Sequence, residues 1–304
     1  MDSPNPLLLL LLVLAAVAPS SATPGVIRLP VDRHALYDRP VIGIVTHPGS
    51  GIHEIDPEGG NSGSYIAASY VKFVESAGAR VIPLIYDDCR ENLLGNLSLV
   101  NGVLFTGGSK KHGQYRDTID MIFQHVKHRK DCHGDPIPLL AVCLGFELLS
   151  MNVSKDKDIL TRFNAYNEPS TLQFPDRSLI SGSVFESFEP ELITKLQTRR
   201  LAMQNHGEYV STVQAKNYSI ICTQWHPEKA IFEWGQGLPP HKDDKAPHSE
   251  DAVRVTQHFA NYFISKARQS TNRPCEDDVR RNLIDSYYSK FGQSQSFDKV
   301  YVFP

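Results

Sequence analysis

Short apolar runs alternate with amphipathic stretches over the first half of the chain. The apolar runs, each bounded by turn residues, are 40–49, 80–86, 101–108 and 138–142. Residues 64–79 and a stretch near 117–128 carry apolar side chains at helical spacing. A strand that is buried on both faces reads as a continuous apolar run, because helices cover both sides of its sheet. The alternation therefore predicts an α/β fold with a mostly parallel central sheet and helices on both faces.

The second half of the chain follows a different pattern. Segments 179–188 and 209–225 read as strands joined by tight connections, which predicts small antiparallel additions to the fold. A polar, proline-bearing loop at 237–251 precedes an amphipathic helix at 252–268, and the apolar end "FDKVYVFP" is expected to dock on the body. No repeat or linker divides the chain. We therefore predict one domain over residues 23–304, with a C-terminal tail from about residue 269.

The first 22 residues have the pattern of a secretory signal peptide. An apolar run from Leu7 to Val17 is followed by the small residues Ser20, Ser21 and Ala22. The alternative is an uncleaved membrane anchor, but a spanning helix needs roughly 20 apolar residues. We expect cleavage after Ala22 and a secreted or lysosomal product.

Composition excludes two kinds of partner. The formal net charge is −3 and no basic stripe is present, so the sequence does not indicate a nucleic-acid partner. No later apolar run reaches the length of a membrane span. A small-molecule substrate is expected, and a homodimer is left open as the quaternary state.

Three N-x-S sequons, at Asn96, Asn152 and Asn217, follow the predicted signal peptide. Behind such a leader they read as glycan acceptors on surface loops. Asn152 falls near the end of the helix after Cys143, and Asn217 falls in a turn before a strand.

The five cysteines cannot all pair in an oxidising compartment. Cys89, Cys132 and Cys275 lie in polar segments, where a bridge could form but the pairing cannot be assigned. Cys222, in "SIICTQW", reads as a buried core residue. Cys143 is the natural candidate for a thiol that stays reduced.

Cys143 lies in "PLLAVCLGFELLS", where a short apolar run turns into a helical pattern. A residue at such a turn projects away from the sheet, and the Leu144 N–H lies beside it at a helix N-terminus. Gly145 meets the need for a small neighbour, and Ala141 is tolerable on the other side. The helix end favours a thiolate, which is the nucleophilic form. The alternative is a small core cysteine that happens to precede a helix.

Two further stretches favour a catalytic role for Cys143 over a role in core packing. "LFTGGS" ends a predicted parallel strand in Gly107 and Gly108, whose amides could help to bind an oxyanion. "TQWHPEK" follows another strand and places His226 two residues before Glu228. A Cys–His–Glu relay needs these residue types, since the thiolate attacks, the imidazole moves the proton and the carboxylate orients the imidazole.

The motifs "CLGFE", "FTGGS" and "QWHPEK" together resemble the class I glutamine amidotransferase fold, and more closely the γ-glutamyl hydrolase family. "SYIAASYVKFVESAGARVIP" resembles the same family, and the likeness covers most of residues 40–268. The resemblance implies that Cys143 is the nucleophile, His226 the proton carrier and Glu228 the orienting carboxylate.

The resemblance also implies a set of substrate-side residues. "MQNHGE" corresponds to a family segment that carries an active-site histidine, so His206 is expected beside the substrate. Further positions near the pocket match Glu147, Lys229 and Tyr65. No metal or organic cofactor is implied.

Two features depart from the family pattern. Ala141 stands where the family usually has glycine, which is a mild change. Only twenty positions separate His206 from His226, whereas relatives carry a longer stretch with another helix and loop. The pocket wall is the part of the site that this shortening puts in question.

Three functions are considered for a chain with these motifs. The leading one is a cysteine hydrolase that cleaves the γ-glutamyl bonds of folyl and antifolyl poly-γ-glutamates through a thioester acyl-enzyme. The second is a glutaminase domain that feeds ammonia to a synthetase, which the signal peptide and sequons argue against. The third is a secreted glycoprotein that kept the fold but lost catalysis with the segment after His206.

Overall fold

The computed structural model describes residues 36–49, 63–208, 211–235, 245–291 and 297–304. All of them lie within one compact unit, Arg33–Pro304. The predicted signal peptide, its cleavage point after Ala22 and most of the predicted loop 237–251 lie outside the described residues.

The described residues form strands and helices in the following order. The strands are β1 (Val41–Val45), β2 (His47–Pro48), β3 (Ser64–Ala67), β4 (Arg80–Leu84), β5 (Gly102–Phe105), β6 (Leu139–Val142), β7 (Arg162–Ser170), β8 (Ala202–Glu208), β9 (Thr212–Gln214), β10 (Ile220–Thr223), β11 (Ser289–Phe291) and β12 (Lys299–Phe303). The helices are α1 (Ala68–Glu75), α2 (Arg90–Ser98), α3 (Gln114–His133), α4 (Leu144–Ser154), α5 (Pro190–Thr198), α6 (Lys229–Phe232), α7 (Glu250–Ala267) and α8 (Glu276–Asn282).

The central sheet has six strands in the order β4-β1-β5-β6-β10-β9. Every neighbouring pair is parallel except β10 and β9, which are antiparallel. A second, antiparallel sheet has the order β11-β12-β3-β2, and β7 pairs with β8 antiparallel. The predicted parallel sheet with small antiparallel additions is confirmed.

Alternate residues of β1 show that helices cover both faces of the central sheet. Ile42 and Ile44 belong to one buried cluster together with residues of α1, α5 and α7. Val41 and Val45 belong to a second cluster with residues of α2, α3 and α4. Successive side chains of a strand point to opposite faces, so both faces of the sheet are covered. The predicted two-sided arrangement is confirmed.

The amphipathic stretch 64–79 begins as a strand rather than as a helix. Ser64–Ala67 forms β3, and the helix starts only at Ala68. The reason is a distant partner, since β12 pairs antiparallel with β3 and brings Val300 opposite Ala67. Long-range pairing here overrides the helical spacing, which is a local signal.

The predicted strand at 179–188 is wrong. Two 3₁₀ turns, Arg177–Leu179 and Val184–Ser187, occupy this part of the chain. Side chains compete with strand pairing there, because the Asp176 carboxylate accepts from Ser178 N–H and the Ser183 hydroxyl accepts from Phe185 N–H.

The helices also differ from their predicted extents. Helix α2 was not predicted, and α3 is longer than the predicted 117–128. The sequon residue Asn96 therefore lies on α2 and not on a surface loop. Asn152 lies near the end of α4 and Asn217 precedes β10 in an exposed turn, as predicted.

The cysteines follow the predicted division between core and surface. Cys222 is buried in β10, and burial raises the pKa of its thiol to about 12, so it is an inert core residue. Cys89, Cys132 and Cys275 are exposed thiols without a disulfide partner in the part of the chain that the structure describes. No helix of that part is long and apolar enough to cross a bilayer.

The end of the chain packs on the body, as predicted. Strand β12 lies between β3 and β11 and buries Val300 and Phe303 in the main core cluster. The ring of Phe303 also contacts that of Tyr287, with centroids 4.8 Å apart.

We predict that Phe303→Ala lowers the free energy of unfolding by about 3–5 kcal/mol, because it removes a buried ring and leaves a cavity. Tyr301→Ala, on the same strand but with a half-buried side chain, is the matched control and should cost clearly less. Denaturant unfolding measures both. Equal and small losses would show that β12 does not belong to the cooperative unit.

Candidate active site

Three neighbouring parallel strands end at one edge of the central sheet. Gly107 lies two residues after β5, Cys143 directly follows β6, and His226 lies three residues after β10. Because β5, β6 and β10 are adjacent, their carboxyl ends bring these residues together. Ligand sites of open α/β sheets lie at this edge.

Cys143 forms the predicted sharp turn between strand and helix. Its backbone has φ 50° and ψ −109°, a left-handed conformation that costs a non-glycine residue roughly 1–3 kcal/mol. Hydrogen bonds to both neighbouring strands hold it there. Cys143 N–H donates to the Thr223 carbonyl at 2.7 Å, and Gly145 N–H donates to the Thr106 carbonyl at 3.2 Å.

Gly145 is required at this turn by close packing. A Cβ atom on Gly145 would lie 2.7 Å from the Phe105 Cβ and 2.9 Å from its carbonyl oxygen. Helix α4 can therefore approach β5 only with glycine at this position. Ala141, on the other side of the turn, is fully buried and is accommodated as alanine.

His226 and Glu228 form a buried pair. The Nδ1 atom of His226 lies 2.7 Å from Glu228 Oε1. A carboxylate only accepts hydrogen bonds, so Nδ1 carries the proton and Nε2 presents its lone pair. Nε2 is buried and has no hydrogen-bond partner among the described residues. It is therefore available to take a proton from a thiol.

The loop that carries this pair is held on two sides. His226 N–H donates to the Met203 carbonyl of β8 at 2.8 Å. The hydroxyl of Thr256, on α7, donates to the Pro227 carbonyl at 2.6 Å.

Gly107 lies between the cysteine and the histidine. A Cβ atom there would lie 2.9 Å from His226 Cε1 and 3.4 Å from the Cβ of Cys143. Both side chains thus pack against a glycine that no larger residue could replace without displacing His226. The structure brings the predicted catalytic residues together.

The amide of Gly107, for which the sequence predicts a role in binding an oxyanion, has a side-chain partner in the structure. It donates to the Tyr70 hydroxyl at 2.9 Å, and the same hydroxyl lies 3.4 Å from His226 Nδ1. Burial and the nearby Glu228 and Cys143 raise the pKa of Tyr70 well above its usual value, so its hydroxyl stays neutral. Leu144 lies at the first position of α4, where its amide was predicted to be.

Gly108 lies against His47. A Cβ atom on Gly108 would come within 2.3 Å of the imidazole ring. The His47 Nε2 accepts from Ser109 N–H at 3.2 Å and from Lys110 N–H at 3.4 Å. Burial lowers the pKa of His47 to about 4, so the ring is neutral and can accept these bonds at physiological pH.

Glu147 is buried and contacts two side chains. Its Oε1 accepts from Gln224 Nε2 at 2.8 Å, and its Oε2 lies 2.9 Å from Lys111 Nζ. Gln224 Nε2 also lies 3.7 Å from Cys143 Sγ. Glu147 thus reaches the cysteine through Gln224.

His206 lies on β8, beside the cysteine. Its Nε2 is 2.7 Å from Gln204 Oε1, and it is opposite Ala165 in the pair formed by β7 and β8. The preceding carbonyl, of Asn205, lies 3.9 Å from Cys143 Sγ. Strand β8 therefore reaches the site despite the short connection to His226.

Tyr65 and Lys229 lie around Phe297, near the end of the chain. The Tyr65 ring is 6.2 Å from that of Phe297, and Lys229 Nζ is 5.8 Å from the same ring. Burial raises the pKa of Tyr65 to about 12. Phe297 also contacts Tyr70 at 6.4 Å, which connects this group to His226.

Three residues of the site were not predicted. Tyr70 reads in the sequence as one more apolar position of α1, and His47 as part of a loop. Gln224 lies inside the motif "TQWHPEK" but was not singled out. What identifies these three residues is their contact with predicted site residues, and only the tertiary structure shows that contact.

Two further features of the described residues concern metal binding and a surface groove. Within the described ranges, no three histidine, cysteine, aspartate or glutamate side chains could hold a metal ion together. A groove of about 560 Å³ runs along residues 172–185 and 211–216, beside β9, and includes none of the predicted site residues.

A cysteine, a histidine and a glutamate that converge at the carboxyl edge of a parallel sheet are the arrangement of a cysteine hydrolase. Residues 40–155 match the family model for Peptidase C26. The chain is 44% identical to γ-glutamyl hydrolase 2 of Arabidopsis thaliana (87% of this chain, 83% of the relative) and 43% identical to the γ-glutamyl hydrolase of Glycine max (88% and 86%). It is 30% identical to the γ-glutamyl hydrolase of Homo sapiens (79% and 83%). The chain belongs to the γ-glutamyl hydrolase family.

The alignments are longer than the part of this chain that they cover. The one with γ-glutamyl hydrolase 2 spans 301 positions but takes up 87% of the 304 residues here. The aligned part of the relative therefore contains residues that this chain lacks.

We predict that Gly145→Ala lowers the free energy of unfolding by about 1–3 kcal/mol and also lowers activity, because the methyl group pushes α4 off β5 and moves Cys143. Gly95→Ala is the matched control. Gly95 lies within α2 with nothing within 4 Å of its Cβ position, so alanine there should stabilise by about 0.5–1 kcal/mol. Thermal unfolding and hydrolysis rates measure both, and two variants of equal stability would contradict the packing argument.

Proposed function

We propose that this chain hydrolyses the γ-glutamyl bonds of folyl and antifolyl poly-γ-glutamates with Cys143 as its nucleophile. The observation that carries the proposal is that the strained Cys143 turn and the buried His226–Glu228 pair both pack against Gly107. The family supports the substrate, since its members match most of this chain and are named γ-glutamyl hydrolases.

The reaction uses the pair as a proton carrier. His226 Nε2 takes the thiol proton as Cys143 Sγ attacks the γ-carbonyl carbon, and the amide nitrogen leaves with that proton. The product is a thioester between Cys143 and the γ-carbonyl carbon of the acyl side, which stays on the enzyme while the amine side leaves. Water then attacks the thioester, His226 takes a proton from the water, and the thiol is restored. Glu228 holds the imidazole in the tautomer that both steps need.

The amides of Leu144, Gly107 and Gly108 are proposed to stabilise the oxyanion. Leu144 has the favourable place, since its N–H lies at the start of α4 beside the sulfur. Gly107 contributes when the Tyr70 hydroxyl releases its N–H, and His47 holds the turn that carries Gly108.

A γ-linked glutamate presents an α-carboxylate beside the bond that is cleaved. His206 and Lys229 are proposed to bind it, with Tyr65 in the same wall. Glu147 is proposed to serve the site through Gln224, whose amide it contacts at 2.8 Å, because a carboxyl group is a poor partner for the α-carboxylate of the substrate.

The non-catalytic alternative depends on a damaged pocket. Two contacts argue against such damage, since Asn205 of β8 lies beside Cys143, and Cys143 and His226 both pack against Gly107. The glutaminase alternative needs a synthetase partner, for which no observation argues.

The compartment and the quaternary state extend the proposal. The leader pattern at 1–22 and the sequons support a secreted or lysosomal glycoprotein, and a homodimer is the proposed assembly. Among the sequons, Asn217 is exposed, whereas the amide nitrogen of Asn152 is buried and its oxygen accepts from Arg116. Asn217 is therefore the favoured glycan site.

We predict that Cys143→Ser and His226→Ala each remove nearly all hydrolysis of a folyl poly-γ-glutamate, by roughly 10⁴-fold or more in kcat. Glu228→Ala should cost roughly ten to a hundred times less, because Glu228 orients the imidazole and accepts no proton. Glutamate release, measured by chromatography, gives the rates. Iodoacetate should label Cys143 first and abolish activity.

Cys132→Ser is the matched control for this series, since Cys132 is an exposed thiol remote from the described site. It should retain the wild-type rate. A folded Cys143→Ser enzyme with full activity would overturn the assignment of the nucleophile, and a Glu228→Ala enzyme as inactive as Cys143→Ser would overturn the orienting role.

We predict that the secreted chain begins near Thr23 and carries a glycan at Asn217. Expression in a eukaryotic host, followed by N-terminal sequencing and peptide mass mapping with and without a glycosidase, tests both points. Asn217→Gln should lose one glycan and keep its activity. A full-length, unmodified intracellular product would contradict the compartment.

A further inference from the structure

The side chain of Gln224 joins the catalytic cysteine to a buried ion pair. Gln224 directly follows β10, is 2% exposed, and its backbone N–H donates to the Ser211 carbonyl at 2.8 Å. Its Nε2 atom lies 2.8 Å from Glu147 Oε1 and 3.7 Å from Cys143 Sγ. One amide nitrogen thus contacts both a carboxylate and the reacting sulfur.

The contact with Glu147 fixes which end of the Gln224 side-chain amide faces the Cys143 sulfur. A carboxylate only accepts hydrogen bonds, so the NH₂ end of Gln224 and not its oxygen must point toward it. Lys111 holds the other oxygen of Glu147 at 2.9 Å, which keeps the carboxylate charged and in place. The Lys111–Glu147 pair therefore fixes the orientation of Gln224.

The NH₂ group has two hydrogens, and Glu147 takes one of them. The other can point to Cys143, and 3.7 Å is a hydrogen-bond distance for the larger sulfur atom. Such a donor is needed because Cys143 is only 5% exposed, and burial disfavours the thiolate that the reaction requires.

We propose that Gln224 donates a hydrogen bond that positions Cys143 Sγ and stabilises its thiolate, and that Glu147 and Lys111 serve to orient this donor. The inference deepens the proposed function, since it assigns a further role in the same site. It also accounts for a buried carboxylate near a site that binds anionic substrates.

The test is the pH dependence of alkylation of Cys143 by iodoacetamide, which reports the fraction of thiolate and requires no substrate. Gln224→Met keeps the length of the side chain and removes the donor. Loss of one hydrogen bond to a charged group should raise the midpoint of the profile by about one pH unit or more. The titratable and charged groups described around the sulfur, which are Tyr70, Lys111, Glu147, His206, His226 and Glu228, are unchanged in this variant.

Gln257→Met is the matched control. Gln257 lies on α7 and contacts Ser76 and Asn261, away from the cysteine. Its midpoint should equal that of the wild type. If Gln224→Met does not fold, Gln224→Leu decides the question, because leucine also lacks the donor, leaves the Lys111–Glu147 pair in place, and should again raise the midpoint.

A folded Gln224→Met protein with the wild-type midpoint would overturn the proposal, as would an unmoved midpoint in Gln224→Leu where that variant decides. Steady-state kinetics add a second readout, with kcat expected to fall about tenfold and KM to stay within about twofold. If the midpoint shifts but the wild type hydrolyses no γ-glutamyl substrate, the role of Gln224 stands and the proposed function fails.

Discussion

Two backbone hydrogen bonds hold Cys143 in a conformation that a non-glycine residue otherwise avoids. One runs to Thr223 on β10, and the other runs from Gly145 to Thr106 beyond β5. Both neighbouring strands must therefore be in register before the turn can form. The same strands carry Gly107 and His226, so the constraint that bends the chain at the cysteine also places its reaction partners.

The buried pair of His226 and Glu228 adds a second constraint. Burial of two polar groups is costly unless they pair, and here a 2.7 Å contact joins His226 Nδ1 to Glu228 Oε1. The Nε2 atom of His226 has no such partner among the described residues. Leaving Nε2 without a partner costs free energy, and the same lack of a partner leaves Nε2 available for proton transfer. The Nδ1 end of the ring thus contributes to stability, and the Nε2 end contributes to reactivity.

The sequence predicted those features whose causes are local. The strands β1, β4, β5 and β6 could be read because burial on both faces leaves continuous apolar runs. The turn at Cys143 could be read from the change of period and from Gly145. In contrast, Ser64–Ala67 is a strand only because β12 pairs with it, and no local pattern contains that information. Gln224 and Tyr70 depend in the same way on partners from other elements, so their contacts could not be predicted.

The left-handed backbone at Cys143 has a consequence for how such a chain can change over generations. Glycine adopts this conformation without strain, so substitution of Cys143 by glycine would relieve a conformational cost while abolishing the thiol. Cys143 also packs in the main core cluster, so the exchange would trade lost packing for relieved strain. The thiol is thus held at a point of the backbone where conformation alone would favour glycine.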